Sequence, residues 1–478
     1  MPTFYASRPK SRALRIPSKS GLTLLPPTAD DIRRWDADHV WHPFTQMREY
    51  LAADPLVIVR AEGHYLIDDR GNRLFDGTSA LWCNLLGHRV PEIDAAVTDQ
   101  LGRFAHTTLL GTTHPAVAEL ARRLVEIAPT GLNHVFFSDN GATAVEAALK
   151  MAFQYRLLTQ GSTAAQDAVY LSLGNAYHGD TLGAAAVGGV ELFHDIFKPI
   201  LLPSLKTPSP YCYRCPIGKT PSDCSIDCAD ELELTLRRAD GRVCAVILEP
   251  GVQAAAGIVT LPSGFLSRVA AACRTNGALL ILDEVATGFG RTGTMFACER
   301  EGVTPDLMCV AKGLTGGYLP VAATLATDRV YDAFLGRYDE YRHFFHGHTY
   351  TGNALGCAAA LATIGLLSDG VIIDAVDRKA QLLREALAPL ASHRHVGDIR
   401  QAGLMCGIEL VADKQTKASF APGERIGYHL CLALRDRGIF LRPLGDIIVL
   451  MPPLSATDAE LRHLVASVHA VIVERFGA

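Results

Sequence analysis

No run in this 478-residue chain approaches the roughly 20 uninterrupted apolar residues that cross a bilayer, because Arg, Asp or Gly breaks its richest apolar stretches. A basic surplus is missing too. The formal net charge is -5, and beyond the first thirty residues the two signs are interspersed, which argues against a nucleic-acid surface. Neither an internal repeat nor a low-complexity tract is present. The opening segment MPTFYASRPKSRALRIPSKS has no acid before Asp30 and lacks the apolar core of a secretory signal. It reads as a flexible tail through residue 35, with an organelle transit peptide as the alternative, and a cytoplasmic location is favoured.

What is there is the composition of a globular protein, 49% hydrophobic and 20% charged. The length exceeds what one core usually supports, so more than one domain is expected. Twelve cysteines are scattered. Cys244, Cys273, Cys309 and Cys357 sit inside apolar runs, where a thiol behaves as a small hydrophobe. The exception is a short loop holding Cys212, Cys215, Cys224 and Cys228. Its spacing would allow a tetrahedral thiolate site, but it matches no standard zinc module, so reduced surface thiols and no metal are expected.

Apolar β-rich runs alternate with helical periodicity through the middle of the chain. HVFFS (134–138) and AVYLSL (168–173) each precede a helix, and VCAVILEP and ALLILDEV follow. Runs apolar on both faces are those of parallel strands covered by helices, and their carboxyl ends are where a site forms. The fold class is therefore α/β. A helix from about residue 142 to 155 places Val145, Leu149 and Ala152 on one stripe, and it opens at Asn140, Gly141 and Ala142 with a free N-terminus. From residue 365 onward the pattern shifts to a separate α+β domain, with which the short strands of the first eighty residues are expected to pack. The boundaries read as 1–35 tail, 36–90 N-terminal part of a small domain, 91–364 large domain, and 365–478 C-terminal part of the small domain.

Lys312 follows an apolar run and precedes glycines, so partial burial can lower its pKa enough for the amine to attack an aldehyde. Asp283, at the end of a buried strand, can hold a pyridinium nitrogen protonated and make the ring an electron sink. Val285 points to the same side as Asp283 and can pack on one face of such a ring. Gly141 and Ala142 offer backbone donors to a phosphate, and Tyr177 offers an aromatic ring to stack on a flat cofactor. Singly, each has a plain structural reading: a turn lysine, a helix cap, an ordinary helix start.

Together, from Trp41 to Phe476, the chain resembles the class III (ω-)aminotransferases of fold type I. WHPFTQM (41–47), DGTSALWCNLLGH (76–88), NAYHGDT (175–181), DEVATGFGRTG (283–293), AKGLTGG (311–317), FHGHTYTGN (345–353) and RPLGD (442–446) narrow the resemblance. They look like the diaminopelargonate aminotransferases of biotin synthesis, which convert 8-amino-7-oxononanoate into 7,8-diaminononanoate. The resemblance implies pyridoxal 5'-phosphate held covalently by Lys312, with Asp283 on the ring nitrogen, Tyr177 and Val285 on the ring faces, and Gly141 and Ala142 on the phosphate. It further implies a homodimer in which His348 and Thr349 reach the cofactor, Thr349 across the subunit boundary. Arg442 would pair with a substrate carboxylate. Phe44, Leu81, Trp82 and Gly347 would line the remaining pocket, core packing being the rival reading for the two aromatics. Leu81 stands where members using S-adenosylmethionine commonly carry a second tryptophan, so lysine and S-adenosylmethionine both stay open as amino donor. Another class III ω-aminotransferase, acting on a diamine or ω-amino acid, is the alternative.

Overall fold

The computed structural model describes residues 27–477. Most of the basic segment therefore lies outside the described residues. The remainder of the expected tail is not a tail: Ala29–His39 is a helix, which Thr28 and Asp31 start with a reciprocal capping box.

Two compact units divide the chain. The first comprises residues up to 61 together with 66–73. Its helices Ala29–His39 and Met47–Ala52 are joined through Asp36, which accepts from Tyr50 Oη at 2.6 Å and pairs with His42 at 3.0 Å.

The second unit, residues 62–65 and 74 onward, is built on a seven-stranded sheet. The spatial order is Leu132–Ser138, Ala322–Thr327, Leu307–Val310, Leu279–Asp283, Val243–Leu248, Val169–Leu173 and Ser204–Thr207. Only Ala322–Thr327 runs antiparallel to its neighbours, so the sheet is mostly parallel as the alternation of elements predicts. Val243–Leu248 and Leu279–Asp283 are buried at every position because helices cover both faces. The helix Gly141–Gln160 lays Ala144, Val145, Ala148, Leu149 and Ala152 into the core, and it stops at Gly161, whose φ of 86° a helix cannot continue. Ala354–Leu367 is almost wholly apolar and mostly buried, and among the described residues no single helix is long and apolar enough to cross a membrane.

The C-terminal part is α+β. An antiparallel sheet of Val396–Ala402, Met405–Leu410, Ile447–Leu450 and Pro443–Leu444 lies with the helices Val371–Leu387, Ile426–Arg435 and Asp458–Phe476. Phe75 and Asp76 pair in parallel with Ile439 and Phe440, which ties an N-terminal strand end into this region. Cys244, Cys273, Cys309 and Cys357 are buried free thiols.

Candidate active site

The carboxyl ends of the parallel strands converge on one cavity of about 690 Å³. Asp283 closes the strand Leu279–Asp283, Glu249 follows Val243–Leu248, Tyr177 follows Val169–Leu173, and Lys312 follows Leu307–Val310. All four line the cavity, with Gly141, Ala142, Val285 and Trp82.

Asp283 is 4% exposed. Its carboxylate accepts from His178 Nδ1 at 2.7 Å and from the Val285 N–H at 3.1 Å. In this bond Nδ1 of the imidazole donates and the carboxylate accepts, which holds the ring in one orientation. The buried Nε2 of His178 has no partner among the described residues.

Lys312 holds a left-handed φ of 46°, a strained conformation for a residue with a side chain. Burial drives its amine below the usual lysine range, and Asp283, Glu249 and Cys83 partly offset that. The amine lies 5.2 Å from the centre of the Trp82 ring, within cation–π range.

Glu249 escaped the sequence reading, which saw only the strand before it. It is buried, and its two oxygens accept the N–H groups of Tyr177 at 3.2 Å and Ala254 at 2.9 Å. Burial first, and the charge of Asp283 second, push its carboxyl up to about 8. Tyr177 donates its hydroxyl to Asp180 at 2.7 Å, and burial followed by that carboxylate raises its pKa.

Helix Gly141–Gln160 is capped by Asn140, whose Oδ1 accepts from the Thr143 N–H at 3.1 Å. That leaves the N–H groups of Gly141 and Ala142 without an intrahelical acceptor, at the cavity wall and at the positive end of the helix dipole. Glycine is required at 141, where a Cβ would come 2.7 Å from Val285 Cγ1. It is required again at 179, where φ is 122° and a Cβ would meet that of Ala142 at 2.4 Å.

Trp82 reaches the cavity from an unusual turn. Ser79, Ala80, Leu81 and Trp82 have φ values of 49°, 49°, 66° and 75°, a left-handed turn made without glycine. Such residues cost about 1–2 kcal/mol each, so the surroundings must hold the turn in place.

The remaining predicted positions lie elsewhere. Leu81 points outward at 54% exposed, and Gly347, Thr349 and Arg442 are exposed and do not line the cavity. His348 reaches the cavity rim by pairing with Asp139 at 3.2 Å. Phe44 belongs to the first unit and is exposed. In the cysteine loop, Cys212 is exposed, Cys215 and Cys224 are half-buried, Cys228 is buried, and all four are free. Among the described residues no group of three or more His, Cys, Asp or Glu side chains is placed to hold a metal ion.

Residues 48–472 match the family model described as Aminotransferase class-III. The adenosylmethionine-8-amino-7-oxononanoate aminotransferase of Nitratidesulfovibrio vulgaris is 51% identical over 442 residues, covering 92% of this chain and 81% of that one. The protein of the same name from Geobacter sulfurreducens is 50% identical, covering 92% and 98%. Among solved structures, the adenosylmethionine-8-amino-7-oxononanoate aminotransferase of Methanocaldococcus jannaschii superposes with a TM-score of 0.88 at 43% identity, covering 93% and 99%. An (S)-enantioselective omega-transaminase from Thermomicrobium roseum gives 0.88 at 35%, covering 94% and 99%. With the model matched over most of its length and relatives this similar, the chain belongs to the class-III aminotransferase family.

Proposed function

We propose that this aminotransferase uses pyridoxal 5'-phosphate to convert 8-amino-7-oxononanoate into 7,8-diaminononanoate, as a homodimer. The curated relatives at 50–51% identity carry the name of that activity.

The residues fit the cofactor. Two uncapped N–H groups at Gly141 and Ala142 suit a phosphate, and the Asp283 carboxylate, oriented by His178, suits a ring nitrogen. Tyr177 and Val285 would pack on the two ring faces, and Lys312 would hold the cofactor covalently. When bound, pyridoxal phosphate supplies an aldehyde for the amine and an electron sink for the substrate's bonding pair. The protein's own work is positional and protonic. Asp283 supplies a carboxylate held in place by two hydrogen bonds and almost wholly buried. Lys312, with its pKa lowered by burial, would serve as the base that takes a proton from the amine-bearing carbon of the substrate. The Glu249 carboxyl fixes the Tyr177 backbone, and so the wall that faces the ring.

Two exposed positions fit roles at the edge of the pocket. Arg442 is exposed with no ion-pair partner among the described residues, so its guanidinium is available for a substrate carboxylate. Thr349 lies on an exposed loop, as a residue serving a partner subunit would.

The observation that carries the reading is the meeting of the Lys312 amine and the His178-oriented Asp283 carboxylate in one cavity. Purified chain incubated with 8-amino-7-oxononanoate and either S-adenosylmethionine or lysine tests it. Formation of 7,8-diaminononanoate with at least one donor, lost in Lys312→Ala, is expected. Failure with both donors, beside turnover of simple ω-amines, would replace the substrate assignment with that of a general ω-transaminase.

A further inference from the structure

The left-handed turn at Ser79–Trp82 brings a ring to the lysine, and what holds it is a buried polar chain. Asp76 is 0% exposed and accepts four hydrogen bonds. Thr78 donates to Oδ1 from its N–H (3.3 Å) and its hydroxyl (3.1 Å), while Ala80 N–H (2.8 Å) and His88 Nε2 (3.2 Å) donate to Oδ2. At the other edge of the His88 ring, Nδ1 lies 3.1 Å from Asn84 Nδ2.

The proton positions follow from one fixed point. Gly87 N–H donates to Asn84 Oδ1 at 2.7 Å, so the amide must turn its NH₂ toward His88. Nδ1 therefore accepts, Nε2 carries the hydrogen, and that hydrogen goes to Asp76. The chain is complete: each member has one orientation, and each orientation serves the next. Two further anchors pin the same segment. Ser79 Oγ donates to the Met451 carbonyl at 2.6 Å, and the buried Arg291 guanidinium bridges the carbonyls of Asn84 (3.2 Å) and Pro452 (2.5 Å).

We propose that Asp76, His88 and Asn84 are positioning residues for the reaction: they hold the strained turn that sets the face of Trp82 against the Lys312 nitrogen. This rests on the cofactor reading above. Released from Asp76, Ala80 has no acceptor for its N–H, and the four left-handed residues relax toward ordinary conformations, carrying Trp82 away from the amine. The ring face favours the positively charged form of that nitrogen, so its withdrawal makes the nitrogen lose its proton at lower pH.

The test uses the chain loaded with pyridoxal phosphate and follows the pH midpoint of its visible absorbance band, together with kcat and KM separately. Trp82→Leu should lower the midpoint by roughly 0.4–1.5 pH units, the range that a cation–π contact of ordinary strength allows. His88→Ala should shift it in the same direction by a similar amount. His88→Asn, which can reach Asn84 but not Asp76, should do likewise, and it serves should the alanine variant not fold. His88→Gln, whose amide can donate to Asp76, should restore the wild-type midpoint. Trp82→Leu combined with His88→Asn should shift no further than Trp82→Leu alone. Wild-type midpoints in both breaking variants, or additive shifts in the double variant, would overturn the proposal, since a merely stabilising network would alter thermal stability without moving the band. If the wild-type chain takes up pyridoxal phosphate and the variants give these overturning results, this inference alone is rejected; if the wild-type chain takes up none, the cofactor reading falls with it.

Discussion

Glu249→Gln, measured in the cofactor-free chain, probes the most perturbed carboxyl in the site. Burial and the neighbouring Asp283 raise the Glu249 carboxyl from 4.5 to about 8 in the folded chain. The unfolded chain therefore gives up this proton at lower pH than the native one, and between those two values the native state binds one proton more. Stability then falls as pH rises, at about 1.4 kcal/mol per pH unit. The contribution is fully present below the unfolded value and is lost as pH passes through the folded one. From pH 6 to pH 8 the wild-type chain should lose about 2 to 3 kcal/mol through this group. The glutamine variant has no such proton, but its NH₂ must face one of the two N–H donors that the carboxyl now serves. Leaving that donor unsatisfied costs about 1–3 kcal/mol at every pH. Urea unfolding of both chains across this range should show the variant less stable at pH 6, with the gap narrowing by about 2 to 3 kcal/mol toward pH 9. Parallel curves would refute the reasoning, because titrating groups that do not interact with Glu249 cancel in the difference between the two chains.

Removal of the ring that orients Asp283, by His178→Leu, deletes a charge-assisted hydrogen bond of about 1.5–3 kcal/mol. kcat/KM should fall roughly 10- to 100-fold, and a loss of less than threefold would deny the histidine this role. Gly141→Ala places a methyl group 2.7 Å from Val285 Cγ1, so equilibrium dialysis should show weakened retention of pyridoxal phosphate, and adding Val285→Ala should recover much of it. Arg400 and Glu409 form a buried pair at 2.6 Å, also joined by Arg214 from the cysteine loop at 2.6 Å. Arg400→Met leaves the carboxylate short of its partner and should cost about 3–5 kcal/mol by denaturant unfolding, whereas Arg214→Met, at the exposed end, should cost far less.

Much of the site was legible because its parts sit at strand ends, where local sequence speaks plainly. ALLILDEV is apolar on both faces and then turns acidic, so the sequence by itself puts Asp283 at the mouth of a buried strand. The helix opening at Gly141 is visible in Asn140 and the small residues after it, whereas the apolar stripe fades near residue 155 and the helix runs on to Gln160, where Gly161 stops it. The helix Ala29–His39 is announced only by the Thr28–Asp31 capping signature, which the strong charge of the preceding segment obscures.

What stayed hidden is of a different kind. His178 stands beside Tyr177 in the same motif, but its importance lies in a contact with Asp283 across 105 positions of sequence, and one chain read alone carries no sign of that pairing. Glu249 closes a strand just as Asp283 does, yet the two carboxyls differ in what surrounds them: one meets an imidazole N–H, while the other accepts from two backbone N–H groups and is pushed up by burial and by the charge of Asp283. The turn at 79–82 is the hardest case, because SALW has neither glycine nor asparagine to announce positive φ, and local preference argues against the conformation it adopts. A conformation that its own residues disfavour must be imposed from outside, here by Asp76, Met451 and, through Asn84, Arg291. The failure of local reading at this turn therefore marks where the fold spends stability to place a side chain, and that side chain is the ring beside the lysine.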